Sequence, residues 1–482
     1  MAVSIAQHPL YEILPIGQQI IFAVLENTIV ADKFKVKFIA EVHVSSKTIN
    51  LSNKDALIGT FKTTPNNAGV GIFDLRPILE TFVKPDNEGS TFLNGSRYKQ
   101  NTSIPVAQAV THPIHLIDKI AVSENAIRFF AIQFKIEYAE TADGNVLAPG
   151  DGGNTGNAVN TLEYIMFNGV LQYDDVLTLD DSDYGYNLGS APDPAQYFFP
   201  NVSPNTFLTN SPITQNARLT DYGTFPFFNF SPSPDDNVTQ IAFIFLDSAG
   251  VVIGTETLQQ DWASGGSTNG YLGTVNSRLM YVGAFPANLR NWSSTFQALV
   301  TAGTLASYQV VMANTAGLSS PYTINIICPN ERGYEGIRLT WLNQWGVWDY
   351  YTFNMKSTRS IATKRIPYTQ LGGTWNDSTF KIAGYKGGQK NFRVNSTEKI
   401  KLNTDFVTEA EGVWFEELIN SPEVYIVNGF SDGDDTATMT NKYIDPVTLT
   451  TSSYVKKTIA NDKLMQYTIE IEKSKMKRTQ AV

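Results

Sequence analysis

The sequence predicts a mainly β protein, built as multiple linked β-sandwich or β-barrel modules with a few short helices. Three observations predict it. Aromatic residues make up 12% of the chain, with 28 Phe and 22 Tyr; beside many Val, Ile and Thr residues they suit pleated, half-buried surfaces. Period-two alternation of apolar and polar residues recurs over short segments. Glycine-rich and polar stretches separate those segments, and no repeat of fixed period runs through the chain, which argues against a solenoid or propeller. At 482 residues the chain exceeds one ordinary core, so about two to four domains are expected. The expected division is 1–140, an N-terminal β module with one short helix; 141–160, a loop or linker; 161–330, a middle β module; and 331–482, a C-terminal β module with one helix.

Taken in order, FKVKFIAEVHV at 34–44 places Phe34, Val36, Phe38, Ala40, Val42 and Val44 on one strand face. FDLRPILETFV at 73–83 reads as a short helix with Asp74 as cap, Pro77 in the first turn and Leu75, Ile78, Leu79 and Phe82 as its apolar stripe. Residues 85–103 read as a long polar loop, and 126–138 as another strand. TADGNVLAPGDGGNTGNAVN, at 141–160, holds five glycines and reads as a flexible excursion or linker. IAFIFLDSAGVVIGTETL is a hairpin whose turn is Asp247-Ser248-Ala249-Gly250. Residues 371–389 are loop-rich. A helix is expected over 406–418, capped by Thr404 or Asp405 and stopped by Asn420-Ser421-Pro422, with Gly412 counting against it. A last strand has Met465, Tyr467, Ile469 and Ile471 on one face.

Charge and composition exclude several function classes. The formal net charge is −10 and the pI about 5.0, which does not suit an electrostatic grip on nucleic acid as the main task. The basic residues Lys473, Lys475, Lys477 and Arg478 read as a solvated tail. The single cysteine, Cys328, forms no intrachain disulfide, and its apolar context reads as a buried inert thiol. The first residues carry no basic n-region, and the apolar run Ile20 to Leu25 is too short to span a bilayer; a secreted or membrane-inserted protein is not expected.

The search for chemistry is mostly negative. His112 and His115 lack the further ligands a closed zinc site needs. The loop from Asp180 places Gly185 as a calcium loop requires, but Ala191 stands where the final Glu belongs, and Asp432-Gly433-Asp434-Asp435 is also incomplete. Glu409, Glu411, Glu416 and Glu417 read as the polar face of a helix rather than as a glycosidase pair. No Walker A, dinucleotide-binding or GxSxG pattern occurs. Neither a catalytic residue nor a cofactor is expected.

RLTWLNQWGVWDYYTF, at 338–353, holds three of the seven tryptophans. It reads as a hairpin with Ile337–Leu342 and Val347–Phe353 as strands and Trp345 in the turn. Core packing, a subunit contact and a glycan-stacking platform all suit such a stretch. Trp345, Trp348, Tyr350 and Tyr351 are the candidate contacts, and Trp345 best separates the readings.

Several blocks together carry a family resemblance: GQQIIFAVLENTIVADKFKVKFIAEVHV with GVGIFDLRPILETFV, then NTFLTNSPITQNARLTDYGTFPFF, YEGIRLTWLNQWGVWDYYTF, TEAEGVWFEELINSPEVYIV and KKTIANDKLMQYTIEIEKSKMKRTQ. Their order resembles tail or baseplate structural proteins of tailed bacteriophages of marine or Bacteroidota-type hosts, over most of the chain. The resemblance implies a non-enzymatic virion subunit, made in the host cytoplasm, that assembles into a homo-oligomeric ring and meets other tail or neck proteins. It brings no catalytic residues. The alternative is a tail module that recognises a host surface glycan, with or without depolymerase activity.

Overall fold

A computed structural model describes residues 3–9, 13–46, 49, 51, 56–87, 113–117, 119–155, 157–170, 207–228, 238, 240–259, 279–313, 318–327, 333–428, 444–455 and 465–478. Cys328, His112, the acidic loops at 180–191 and 432–435 and most of the polar stretch 85–103 lie outside them. The chain forms two compact units: Met1–Ile327 with Leu342–Asp349 and Gly429–Thr440, and Cys328–Trp341 with Tyr350–Asn428 and Asn441–Val482.

The first unit begins with two facing sheets. One is β1 (Ser4–Gln7), β3 (Ile21–Leu25) and β6 (Val70–Asp74), in the order β1-β3-β6. The other runs β2 (Ile13–Pro15), β11 (Tyr164–Phe167), β8 (Ile127–Ala139), β4 (Phe34–Ser45), β5 (Leu57–Thr63). Their inner faces share a core in which Phe22 and Phe73 meet Phe134 at ring distances of 5.7 and 5.5 Å. The glycine-rich 141–160 segment carries β9 (Val146–Leu147) and β10 (Ala158–Asn160), both hydrogen-bonded to β8. Asn154, buried within it, donates to the carbonyls of Ile136 and Leu147.

In strand β4 the expected core-face residues Phe38, Ala40 and Val42 are fully buried, but Ile39 and His43, expected on the opposite face, are buried as well, so the strand is covered on both sides from Phe38 onward. Phe34, expected on the core face, is exposed. The cause is local: Lys35 has φ 54, and the register against β8 shifts between Phe34 and Lys37, so the strand start is rotated out of phase. The helix expected at 73–83 is shorter than its apolar stripe. Asp74 ends β6, α2 spans Arg76–Leu79 and a 3-10 turn follows at Glu80–Phe82. The Asp74 carboxylate still accepts from the Arg76 N–H at 3.2 Å. Ahead of α2, α1 (Asn27–Asp32) links β3 to β4.

Two more sheets complete this unit. One runs β12 (Thr214–Arg218), β18 (Tyr322–Ile327), β17 (Ser307–Ala313), β14 (Gln240–Leu246), β15 (Val252–Gln259). The other is β13 (Thr224–Phe228), β16 (Leu279–Gly283), β7 (Ile120–Val122). The expected 240–259 hairpin is β14–β15, with Gly250 at φ 79 and the Asp247 carboxylate accepting from the Ala249 and Val251 amides, each at 2.9 Å. Two helices absent from the sequence reading, α3 (Pro286–Trp292) and α4 (Ser294–Ala302), lie against β14 through Trp292 on Phe243 and Phe296 on Phe245.

The second unit holds one seven-stranded sheet: β20 (Trp348–Phe353), β19 (Ile337–Leu342), β23 (Val424–Val427), β24 (Ile444–Leu449), β25 (Thr468–Lys473), β22 (Gly388–Asn403), β21 (Thr358–Gln370). Helix α5 (Glu409–Asn420) covers it with Trp414, Phe415 and Leu418. This helix starts three residues later than its apolar pattern suggests. Thr408, not Thr404 or Asp405, is the cap, in a capping box with Glu411, while Val407 forms a bridge with Met465. The fold is thus mainly β, with sandwich-like sheet pairs and few short helices. Among the described residues no sheet closes into a barrel, and no helix is long and apolar enough to cross a membrane.

Candidate functional site: a buried aromatic turn and an exposed arm

The hairpin 337–353 forms as its sequence predicts, but its aromatics turn inward. Trp348 is 0% and Trp345 7% exposed, Tyr350 is buried and Tyr351 half-buried. Trp348 Nε1 donates to the Asp86 carbonyl at 2.7 Å, and its ring meets His115 edge-on at 4.9 Å. Trp345 stacks on Phe167 at 6.4 Å. Tyr350 lies under the Arg338 guanidinium, 5.3 Å from the ring centroid, and Arg338 also donates to Thr352 at 2.8 Å. Tyr351 packs edge-on to Phe415 at 4.8 Å, and burial pushes its phenol well above the ordinary range. All four candidate contacts therefore have intramolecular partners, and three of them, Trp345, Trp348 and Tyr350, are buried.

The turn itself is seated by main-chain bonds. Asn343 Nδ2 donates to the Leu208 carbonyl at 2.9 Å, and its Oδ1 accepts from the Trp345 amide at 3.0 Å. The Val170 amide donates to the Gln344 carbonyl at 2.7 Å. Gly346 has φ 68, and an added Cβ would stand 1.3 Å from the Asn168 carbonyl oxygen. Both constraints require glycine there.

Beside this turn lies a buried carboxyl, Asp86. It accepts from Ser123 Oγ at 2.6 Å, Tyr281 Oη at 2.9 Å and the amides of Glu124 and Asn125 at 3.1 and 2.8 Å. Burial pushes its pKa up, and the four donors pull against that shift without cancelling it. Every oxygen of this carboxyl is engaged by a structural donor, so it ties chain segments together and offers no free base. His115, one of the two possible metal ligands, is buried against Trp348. Among the described residues no group of three or more His, Cys, Asp or Glu side chains is placed to hold a metal ion.

The accessible aromatic surface lies elsewhere. Strands β21 and β22 pair from Thr358–Lys401 out to Gln370–Gly388, but β22 pairs with β25 only over Lys399–Asn403. The remaining eleven residues of β22, 388–398, and their partners extend beyond β25 as a two-stranded arm about 35 Å long. The expected solvated tail braces its root: Ser396 bridges Lys477, Lys477 Nζ donates to Glu398 at 2.9 Å, and Arg478 Nε donates to Asn395 at 2.8 Å.

The arm tip, read from sequence as loop, is itself folded. Gly373 bridges Ile382, the Thr374 amide donates to the Lys381 carbonyl at 3.0 Å, and Lys390 Nζ reaches the Tyr385 carbonyl at 2.7 Å. On it Trp375 is 81%, Phe380 62%, Ile382 83% and Tyr385 76% exposed. Residues 361–398, the arm strands and tip, also carry six Lys and Arg against two acids, a net +4, which leaves −14 on the rest of a chain whose total is −10. The sequence signal that marks the arm is this local reversal of charge.

No family model matches the chain, and no curated protein does. Among solved structures, the native conformation of an E. coli alpha-2-macroglobulin matches with 7% identity over 83% of this chain and a TM-score of 0.18. This chain covers 21% of that protein, and a likeness so slight carries no argument about fold or function.

Proposed function

We propose that this chain is a non-enzymatic structural subunit of a tailed-phage virion, in the tail or baseplate, that acts by self-assembly and by contact with neighbouring tail or neck proteins. The observation that carries the assembly reading is the arm. Its tip turns Trp375, Phe380, Ile382 and Tyr385 to water on an ordered support, and such a patch marks an interaction surface. The virion assignment rests on the order of sequence blocks described above. Closed symmetric rings are the common way for one self-complementary surface to be satisfied in every copy.

Electron microscopy of virus particles labelled with antibody against the purified chain tests the assignment. Label at the tail or its tip is the expected result. Unlabelled particles from a preparation that contains the chain overturn it.

One observation favours the glycan reading as a second. Trp375 presents an open indole face, as a sugar-stacking platform requires, whereas Trp345 does not. Sugar binding by the intact chain that disappears in Trp375→Ala, with assembly unchanged, would replace the first reading by this one.

A further inference from the structure

Resting on the self-assembly reading, we propose that the arm is the assembly contact and that its partner is the acidic remainder of a second copy of this chain. The geometry supplies the reach, since the arm stands about 35 Å beyond the last strand that pairs with it on its inner side. The charge supplies the partner: a +4 arm belongs to a chain that is −14 everywhere else. Lys364, Arg365, Lys390 and Arg393 lie on the arm strands, and Lys381 and Lys386 at the tip. A second copy therefore presents the opposite sign, and complementary fields steer association and fix which surfaces meet. Apolar tip residues within a cationic border match the usual anatomy of a contact, an apolar centre with a polar rim.

Two other accounts of the arm fit less of it. Charged residues on an edge strand prevent edge-to-edge aggregation, and this explains Lys364 and Arg365. It does not explain Trp375, Phe380, Ile382 and Tyr385 turned to water at the tip. A nucleic acid also fits the arm's charge, but the −14 remainder repels a polyanion, and Ile382 has no stacking role to play there.

The test is sedimentation velocity and native mass spectrometry of the full chain over a range of concentrations. Three chains are compared: wild type, Trp375→Ser/Phe380→Ser/Ile382→Ser, and Lys364→Glu/Arg365→Glu/Arg393→Glu. All substituted side chains are at least partly exposed, and circular dichroism and melting check that the variants fold. The wild type is expected to be oligomeric and each variant to dissociate about tenfold more readily or to a greater degree. Tip-variant chains are expected to be captured when mixed with wild type, because the wild-type arm still finds an intact acidic surface. Folded variants that assemble like the wild type overturn the arm as the contact while leaving self-assembly standing. A wild type that stays monomeric at every concentration overturns self-assembly itself. Retention of a DNA duplex by the wild type, lost in the charge variant while assembly is unchanged, overturns the second copy as partner in favour of a polyanion.

Discussion

Gly346 shows how a single residue governs the aromatic turn. Its φ of 68 is one that L side chains rarely adopt, and the Asn168 carbonyl fills the space a Cβ would need. Left-handed backbone alone costs a non-glycine residue about 1–2 kcal/mol, and the overlap adds displacement of the 168–170 segment. Gly346→Ala is therefore expected to destabilise the first unit by about 3 kcal/mol or more, read as a lowered urea midpoint. Asp86 makes the opposite kind of demand, for a side chain that accepts four hydrogen bonds. Asp86→Ala would leave two hydroxyls and two amides without their acceptor, at a cost of about 3–5 kcal/mol by the same measurement. Its pH behaviour has a defined sign. Because burial raises the folded pKa, the folded state binds more protons than the unfolded state between the ordinary Asp value and the raised one. Stability contributed by this group is thus greatest below that window and falls as pH rises through it. Asp86→Asn is expected to remove that fall, seen as a flatter plot of stability against pH. Gly412 illustrates a glycine chosen for space alone: an added Cβ would lie 2.7 Å from Tyr467 Oη, which explains a residue of poor helix propensity inside α5.

At the scale of elements, α5 is fixed at its start by chemistry and along its length by packing. The Thr408 hydroxyl accepts from the Glu411 amide at 3.2 Å, and the Glu411 carboxylate accepts from the Thr408 amide at 2.8 Å. Thr408→Ala is expected to cost about 1 kcal/mol of stability in the second unit, and the first turn should exchange amide hydrogens faster. The arm root has a different support. Lys477 beside Glu398 holds that carboxyl below the usual range, with Arg359 adding to the effect. A depressed carboxyl contributes stability present above its ordinary pKa and lost as pH falls through the lowered one. Lys477 is largely exposed, so the contribution is small and salt-sensitive.

For the whole molecule, the division of charge matters more than its total. A net −10 hides a division of sign, with +4 on the arm and −14 on the rest of the chain. Attraction between the two is screened by salt, with a Debye length of about 10 Å at 0.1 M and about 3 Å at 1 M. Assembly is accordingly expected to weaken by roughly tenfold between low and high salt, measured by sedimentation, with a residual affinity from the apolar tip.

What the sequence determined by itself was the class of fold and the elements whose partners are close along the chain. The β14–β15 turn and the 337–353 hairpin follow from turn chemistry, and strands β4 and β8 from runs of β-branched and aromatic residues, all of which act over a few residues. Element boundaries shifted where long-range pairing intervened: Val407 is drawn to Met465 and leaves Thr408 to cap α5, and the bulge at Lys35 turns Phe34 outward. Tertiary structure alone decided which aromatics are accessible. Local pattern identifies Trp345 and Trp375 alike as tryptophans in turn-like settings, but one turn is closed by Asn168, Phe167 and Leu208 from distant parts of the chain, and the other has no such cover. Burial is a property of what folds back over a residue, and for these two turns the covering segments lie more than a hundred residues away or do not exist among the described residues.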